Sequence, residues 1–219
     1  MKIQKFDLLI SLYIVCITLS EVMGGKTFPL ANLFGYQLNA SVAIFVLPLI
    51  FTINDVITEV YGKERTRSVI RSGLVIIGII LFFSLFATNL PPSSRFQGSE
   101  AAYDTIFGLS ARIAASSLTA FALAEFMDVL VFVKVREKFG KKALWLRNNI
   151  SNFISQFLDT AVFMTLAFYA FDKPFDANFA FLFSLILPYW LLKCSMSIIE
   201  TPLVYLGVTW LQGEKRKGK

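Results

Sequence analysis

Six long apolar runs dominate this sequence and limit what it can fold into. They lie at about 6–23, 41–61, 69–90, 111–133, 151–171 and 179–206. A helix needs about 20 mostly apolar residues to cross a membrane, so the six runs leave little of the 219 residues for a soluble domain. Only 16% of the residues are charged, against about a quarter in a soluble domain. The sequence therefore predicts an all-α membrane protein, with six transmembrane helices in one bundle and a single transmembrane domain over 1–219.

The ends of this series carry two further expectations. The first run follows a basic start and imitates a signal peptide, but the Gly-Gly-Lys after it is a poor cleavage site, so we predict an uncleaved first helix. The last run exceeds the length of a span and contains Pro188 and Pro202. We therefore expect it to begin with an interfacial turn and then to tilt or kink.

Residues 91–110 are predicted to form an external surface loop, with a lid as the alternative.

The positions of Lys and Arg predict the orientation. Of the 21 basic residues, sixteen flank one side of the predicted membrane, four flank the other, and Lys193 lies inside the last run. Cytoplasmic segments are the ones enriched in Lys and Arg. Both termini of this multi-pass protein are therefore predicted to be cytoplasmic. The same bias explains the net charge of +6 without a nucleic-acid partner.

Several kinds of chemistry are excluded by what the sequence lacks. It contains no His, which removes a His-based metal site or general base. It has no Gly-Lys-Ser/Thr phosphate loop and no Gly-x-Ser-x-Gly nucleophile turn. Cys16 and Cys194 both lie in apolar runs, which favours small buried fillers over a disulfide. We therefore expect a protein that is not an enzyme and holds no metal or cofactor.

Polar side chains lie inside the apolar runs, where each costs a few kcal/mol to insert. Spacings of three or four residues place such groups on one helix face: Asp55 with Glu59, Glu125 with Asp128, a stripe at Asn149, Asn152, Gln156 and Asp159, and Lys193 with Ser197 and Glu200. They indicate a shared polar interior in the cytoplasmic half of the membrane.

Two structural alternatives stay open for these groups. Glu59 and Asp128 can equally pair with basic residues at the interface, such as Arg65 or Arg67. Lys193 can form a purely structural ion pair with Asp159 or Asp55. If the polar interior instead binds a solute, carboxylates, amides and aromatic rings together suit a small planar polar molecule with a guanine-like edge.

The ordered motifs resemble those of the vitamin uptake transporter family, best known for queuosine precursor transporters. The resemblance rests on the string Asn-Asp-Val-Ile-Thr-Glu-Val-Tyr-Gly at 54–62, on Trp-Leu-Arg-Asn-Asn at 145–149, and on Ser-Gln, Asp-Thr and Thr-Pro pairs at 155, 159 and 201. Further matching positions are Ser20, Lys26, Arg67, Gly73, Arg112, Asp128, Phe163, Lys193 and Tyr205. Glu21 departs from the pattern, since the family is expected to have Asn there.

This resemblance implies an inner-membrane importer of 7-deazaguanine bases or queuine for tRNA modification. It also implies a fold similar to the substrate-binding subunits of energy-coupling-factor vitamin transporters, but without their ATPase module. The substrate-facing positions carried over are Asp55, Glu59, Arg147, Asn148, Asn152, Gln156, Asp159 and Lys193. A vitamin-binding membrane subunit that needs a separate ATPase module is the alternative. The expected partners are the solute and the lipid membrane, with a homodimer as an open option.

Overall fold

The chain is mostly helical. Its computed structural model describes residues 3–139 and 144–215, without the side chains at 125–139, 144–152, 197–201 and 213–215. The described residues form six α-helices: α1 (Lys5–Met23), α2 (Leu47–Tyr61), α3 (Lys63–Thr88), α4 (Glu100–Phe139), α5 (Leu144–Phe168) and α6 (Phe175–Lys215). Short 3-10 turns at Val42–Phe45 and Gln97–Ser99 precede α2 and α4.

Five helical segments are long and apolar enough to cross a membrane. They are Lys5–Met23, Val42–Tyr61, Lys63–Thr88, Gln97–Ala124 and Phe175–Met196. The described apolar part of α5, Phe153–Phe168, is shorter. The chain is therefore a multi-pass membrane protein, and five of the six predicted spans have a helical counterpart of sufficient length within the described residues.

The boundaries of two helices differ from the prediction. The segment 91–110 was expected to be a loop, but α4 begins at Glu100, so its second half is helical. The predicted interfacial turn at the start of the last run is also wrong, because α6 starts at Phe175 and continues past Pro188 to Lys215. A proline removes one backbone donor, and the flanking turns of this helix stay intact around it.

The connection between α1 and α2 contains a two-stranded β-hairpin that the sequence did not predict. Strand β1 (Thr27–Leu33) pairs with β2 (Tyr36–Ser41). The turn residues Phe34 and Gly35 both have positive φ, of 51° and 86°, as two-residue hairpin turns require. The backbone N–H of Gly35 donates to the Asn32 side chain at 3.0 Å, which holds the turn closed.

The chain packs as two compact units. The first unit contains Met1–Thr27, Ser41–Ala114 and Ser195–Lys219, and the second contains Phe28–Ala40 and Ala115–Cys194. The first unit thus holds α1, α2 and α3 with the beginning of α4 and the end of α6. The second unit holds the hairpin, α5 and the remaining parts of α4 and α6.

A one-residue turn joins α2 to α3 in the first unit. Gly62 separates the helices with φ of 85°, a conformation that a residue with a Cβ rarely adopts. Its N–H donates to the carbonyl of Thr58 at 2.9 Å. The hydroxyls of Thr58 and Thr66 are 2.8 Å apart across the junction, so a polar contact fixes the two helices against each other.

Gly73 allows α1 and α3 to approach closely. A Cβ at this position lies 2.7 Å from Cδ1 of Ile17 and 3.3 Å from Cε1 of the buried Tyr13. We expect Gly73→Leu to lower the free energy of unfolding by about 1–3 kcal/mol through overpacking. Thermal unfolding in detergent measures the change. Gly78→Leu on the same helix is the matched control, because a Cβ there meets nothing within 4 Å; equal losses in both variants contradict close packing at Gly73.

Aromatic and basic side chains gather at one end of the first unit. The Lys5 ammonium donates to the carbonyl of Trp210 and lies 4.9 Å from the centre of its indole ring. The rings of Phe6 and Tyr61 are 4.5 Å apart, and the Arg65 guanidinium lies 5.1 Å from the Phe6 centroid. The start of α1, the α2–α3 junction and the last turns of α6 therefore lie at the same end of this unit.

Asn178 organises the turn between α5 and α6 in the second unit. This buried side chain accepts from the N–H of Ala170 at 2.8 Å and donates to the carbonyls of Ala170 and Lys173 at 2.8 and 3.0 Å. A single amide thereby satisfies backbone groups that the end of α5 leaves without helical partners. The short connection is thus held by one polar residue of the following helix.

Candidate substrate site

An ion pair joins α5 to α6 inside the second unit. The ammonium of Lys193 lies 2.6 Å from Oδ2 of Asp159, and the two side chains are 16% and 31% exposed. The sequence named this pairing as the structural alternative for Lys193, and the contact itself is confirmed. Both residues lie in the middle of helices, so the unit holds a positive and a negative group side by side among apolar neighbours.

Three aromatic residues accompany the ion pair. The Trp190 indole N–H donates to the backbone carbonyl of Phe153 at 3.2 Å. Its ring meets those of Phe153 and Phe157 edge to face, with centroids 6.1 and 5.4 Å apart. Trp190 precedes Lys193 by three residues, so the two share a face of α6. The aromatic group therefore lies within one helical turn of the charged pair.

Gln156 lies one turn before Asp159 on α5. The backbone carbonyl of Gln156 accepts from the hydroxyl of the buried Thr160 at 2.7 Å, which places the Thr160 side chain against the backbone of the helix. The side chain of Gln156 is half-buried. The predicted polar stripe on α5 thus continues into the described residues as Gln156 and Asp159, on the side of the helix that carries the ion pair.

Asp55 and Glu59 belong to the first unit. They lie four residues apart on α2, as the sequence predicts, and both are exposed. Arg67, one of the interfacial residues named as an alternative partner for Glu59, pairs with Glu64 at 2.9 Å. The two carboxylates thus form an accessible acidic face on α2.

Asn54, next to Asp55, takes part in a contact between α1 and α2. Its side chain lies near the Tyr13 hydroxyl of α1. Its Oδ1 is buried and has no hydrogen-bond partner among the described residues. A buried acceptor of this kind is costly unless something supplies a donor. Asn54 is therefore a further polar position of α2, beside the two predicted carboxylates.

Three predicted site residues lie where side chains are not described. Arg147, Asn148 and Asn152 fall on α5 by their backbone, and nothing further follows for them. Of the eight predicted positions, the structure brings Asp159 and Lys193 into direct contact. Among the residues whose side chains are described, no group of three or more Cys, Asp or Glu could hold a metal ion.

Trp190 and Asn54 are the candidate site residues that the predicted set of substrate-facing positions omits. An aromatic residue in an apolar run gives no periodic signal of its own, which explains the omission of Trp190. Its spacing of three from Lys193 was the available indication. Asn54 stood beside Asp55 within the recognised motif, but the face that it shares with Thr58 differs from that of the carboxylates.

The site can bind a small polar solute through complementary groups. Asp159 accepts hydrogen bonds, Lys193 donates them, and an amide such as Gln156 can do both. Nearby aromatic rings offer surfaces for a planar molecule. Together with helices of membrane-spanning length, such buried polar groups are what a multi-pass membrane transporter for a small solute needs.

The comparison with known proteins places the chain in a family. The family model described as "Putative vitamin uptake transporter" matches residues 41–207. The chain belongs to the vitamin uptake transporter family, which consists of transporters and not of enzymes. No solved structure matches the chain significantly.

Three curated relatives carry a common name. A "Probable queuosine precursor transporter" of Bacillus subtilis is 31% identical over 186 residues, which are 84% of this chain and 78% of the relative. A protein of the same name from Haemophilus influenzae is 30% identical over 65% of this chain. The "Queuosine precursor transporter" of Escherichia coli is 29% identical over 61%. Each of the last two alignments covers 58% of the relative's length.

Proposed function

We propose that this protein imports queuosine precursors, the 7-deazaguanine bases, or queuine across the cytoplasmic membrane for tRNA modification. The Lys193–Asp159 pair is the observation that carries the proposal. A guanine-like edge presents a carbonyl oxygen next to N–H groups. That edge is complementary to an ammonium and a carboxylate held 2.6 Å apart. The names of the three relatives support the same class of substrate.

In this proposal the binding residues extend beyond the pair. Gln156 supplies a further amide, and Trp190 supplies a ring surface near the base. Asp55 and Glu59 are included in the proposed set because they match family positions. Arg147, Asn148 and Asn152 complete the set by their resemblance to family positions.

The proposed topology has six spans with both termini in the cytoplasm and residues 1–219 as one transporter domain. The meeting of Lys5 with Trp210 at one end of the first unit supports an even number of crossings. Five spans place the first and last helical ends on opposite sides of a membrane, whereas a sixth span through α5 places them on the same side. The proposed fold resembles the vitamin-binding subunits of energy-coupling-factor transporters, and dimerisation is compatible with it.

The alternative function, a vitamin-binding subunit of an ATP-driven complex, finds no support in the comparisons. None of the relatives' names refers to an ATPase module. Purification from the native membrane checks the point directly. We expect no stoichiometric ATPase subunit in the preparation, and a stable complex with one favours the alternative.

Uptake into cells that can neither synthesise nor import the bases tests the proposed function. We expect expression of this chain to restore uptake of labelled 7-cyano-7-deazaguanine, 7-aminomethyl-7-deazaguanine or queuine, and to restore queuosine in tRNA where the host can use the imported base. Cells carrying the empty vector give the background. If the protein is inserted in the membrane and none of the three labelled compounds enters, the proposal is wrong.

A further inference from the structure

The β-hairpin at 27–41 has an unusually apolar surface for a connection between two spans. It contains no charged residue. Leu30, Leu33 and Tyr36 are exposed, and Phe34 at the tip is fully exposed. Water-facing turns ordinarily carry polar or small residues, and contiguous exposed apolar surface marks a contact with a protein or a membrane. The composition of this hairpin thus requires an apolar partner.

Phe34 is also held in an unfavourable backbone conformation. Its φ of 51° lies in the left-handed region, which a bulky aromatic residue rarely occupies and which Asn or Gly fills in most two-residue hairpin turns. The side chain gains no packing inside the chain, because it is fully exposed. A strained residue whose side chain points away from the protein is a reason to look for a contact outside it.

Contacts with α6 fix the depth of the hairpin. The Tyr36 hydroxyl donates to the carbonyl of Ala180 at 2.6 Å, and the Asn39 amide donates to the hydroxyl of Ser184 at 2.8 Å. Ala180 and Ser184 lie about 7.5 and 13.5 Å along the axis from Phe175, where the apolar span of α6 begins. Strand β2 therefore lies alongside the membrane-spanning part of α6.

The direction of β2 places the tip near the end of that span. The strand runs from Tyr36, at the level of Ala180, to Asn39, at the deeper level of Ser184. Phe34 precedes Tyr36 by two residues, which is about 6.6 Å of strand in the opposite direction. The tip thus lies near the level of Phe175, at the boundary between hydrocarbon and headgroups.

The exposed surface of the hairpin continues an aromatic surface of α6. Phe175, Phe179 and Phe183 are exposed and stack along one face, with successive ring centroids 6.2 and 6.3 Å apart. The Tyr36 ring meets Phe183 at 6.4 Å. Aromatic residues concentrate at the membrane interface, and this face belongs to a helix of spanning length. The same lipid that contacts this face of α6 is therefore within reach of the hairpin.

We propose that the hairpin is a membrane-interface anchor whose tip, Phe34 with Leu33, inserts into the lipid at the end of α6, with the exposed Leu30 further along β1 in contact with the acyl chains. The partner is the acyl-chain and headgroup boundary of the bilayer, and not a soluble protein. Strand β2 lies against α6, and the apolar tip holds the uncharged hairpin at a fixed depth. The connection between α1 and α2 is thereby attached to the bilayer as well as to α6.

Nitroxide labels measure this depth without any substrate. Phe34→Cys and Leu30→Cys are labelled in a Cys16→Ala/Cys194→Ala background and reconstituted in vesicles of phosphatidylcholine and phosphatidylglycerol. Ser94→Cys, in the exposed segment before α4, is the matched control. We expect collisions with a water-soluble nickel chelate to be about tenfold fewer at 34 and 30 than at 94, whereas oxygen relaxes the first two labels more strongly.

Two results overturn the anchor. Nickel accessibility at 34 and 30 equal to that at 94 places the hairpin in water. If both the nickel chelate and oxygen are excluded, and the spectral lines of the nitroxide broaden as the protein-to-lipid ratio rises, the partner is a second copy of the chain. The label at 30 gives an independent reading if labelling at 34 disturbs the turn. None of these measurements depends on the transported solute.

Discussion

Asp159→Asn is expected to reduce uptake of the labelled base by about ten- to hundredfold, because one charge-assisted hydrogen bond is worth about 1.5–3 kcal/mol. The substitution keeps the shape of the side chain and removes its charge. It also leaves the ammonium of Lys193 without the carboxylate that lies 2.6 Å away. Initial uptake rates, normalised to the amount of protein in the membrane, measure the effect. Asp176→Asn, an exposed carboxylate in the first turn of α6, is the control and is expected to transport normally.

A double variant separates the functional role of the pair from a structural one. Asp159→Asn combined with Lys193→Met removes both charges, so that neither partner is left as an uncompensated charge between α5 and α6. We expect its thermal stability to recover relative to the single Asp159→Asn variant while uptake stays lost. Recovery of both stability and uptake means that the pair only holds α5 to α6. Gln156→Ala, with Gln97→Ala as its control, extends the test along the same face of α5 and is likewise expected to reduce uptake strongly.

Asn178→Leu is expected to lower the free energy of unfolding by about 3 kcal/mol or more, since each buried backbone group that loses its partner costs about 1–3 kcal/mol. Leu has a similar volume, so the loss reflects hydrogen bonds to Ala170 and Lys173 and not a cavity. Thermal unfolding in detergent, followed by the loss of monodisperse protein, measures the change.

Partial replacements sharpen the result at Asn178. Asn178→Asp keeps an acceptor for the N–H of Ala170 but loses the donor to the carbonyls, so an intermediate loss is expected. Asp172→Asn, an exposed change in the same connection, is expected to leave the unfolding temperature unchanged. If Asn178→Leu unfolds at the wild-type temperature, the turn between α5 and α6 does not depend on this amide.

The sequence predicted those features that repeat along the chain or are costly in a membrane. Apolar runs of spanning length located the helices, because insertion demands a minimum number of apolar residues. The pairing of Lys193 with Asp159 was foreseen as one alternative, because two opposite charges in neighbouring spans are stabilised by contact. The i, i+4 spacing of Asp55 and Glu59 placed both on one face, as the structure has them.

Features that depend on single contacts escaped prediction. The hairpin is uncharged and lacks a regular alternation, and its turn uses Phe34 where Asn or Gly is the usual signal. The role of Asn178 arises from one side chain reaching back across a turn, for which no spacing rule exists. The early start of α4 was missed because the polar stretch after Pro91-Pro92 has the composition of a loop, although it is helical from Glu100. For the hairpin and for Asn178, tertiary contacts decide what local composition leaves open.

The contact between Lys193 and Asp159 has an electrical consequence. Moving one elementary charge through a membrane potential involves about 2.3 kcal/mol per 100 mV, but a cation and an anion 2.6 Å apart carry no net charge. A rearrangement that moves the intact pair along the membrane normal therefore does almost no electrical work. If those two groups stay together, they add no voltage dependence of their own to uptake. At this site, only the charge of the bound solute then contributes to it.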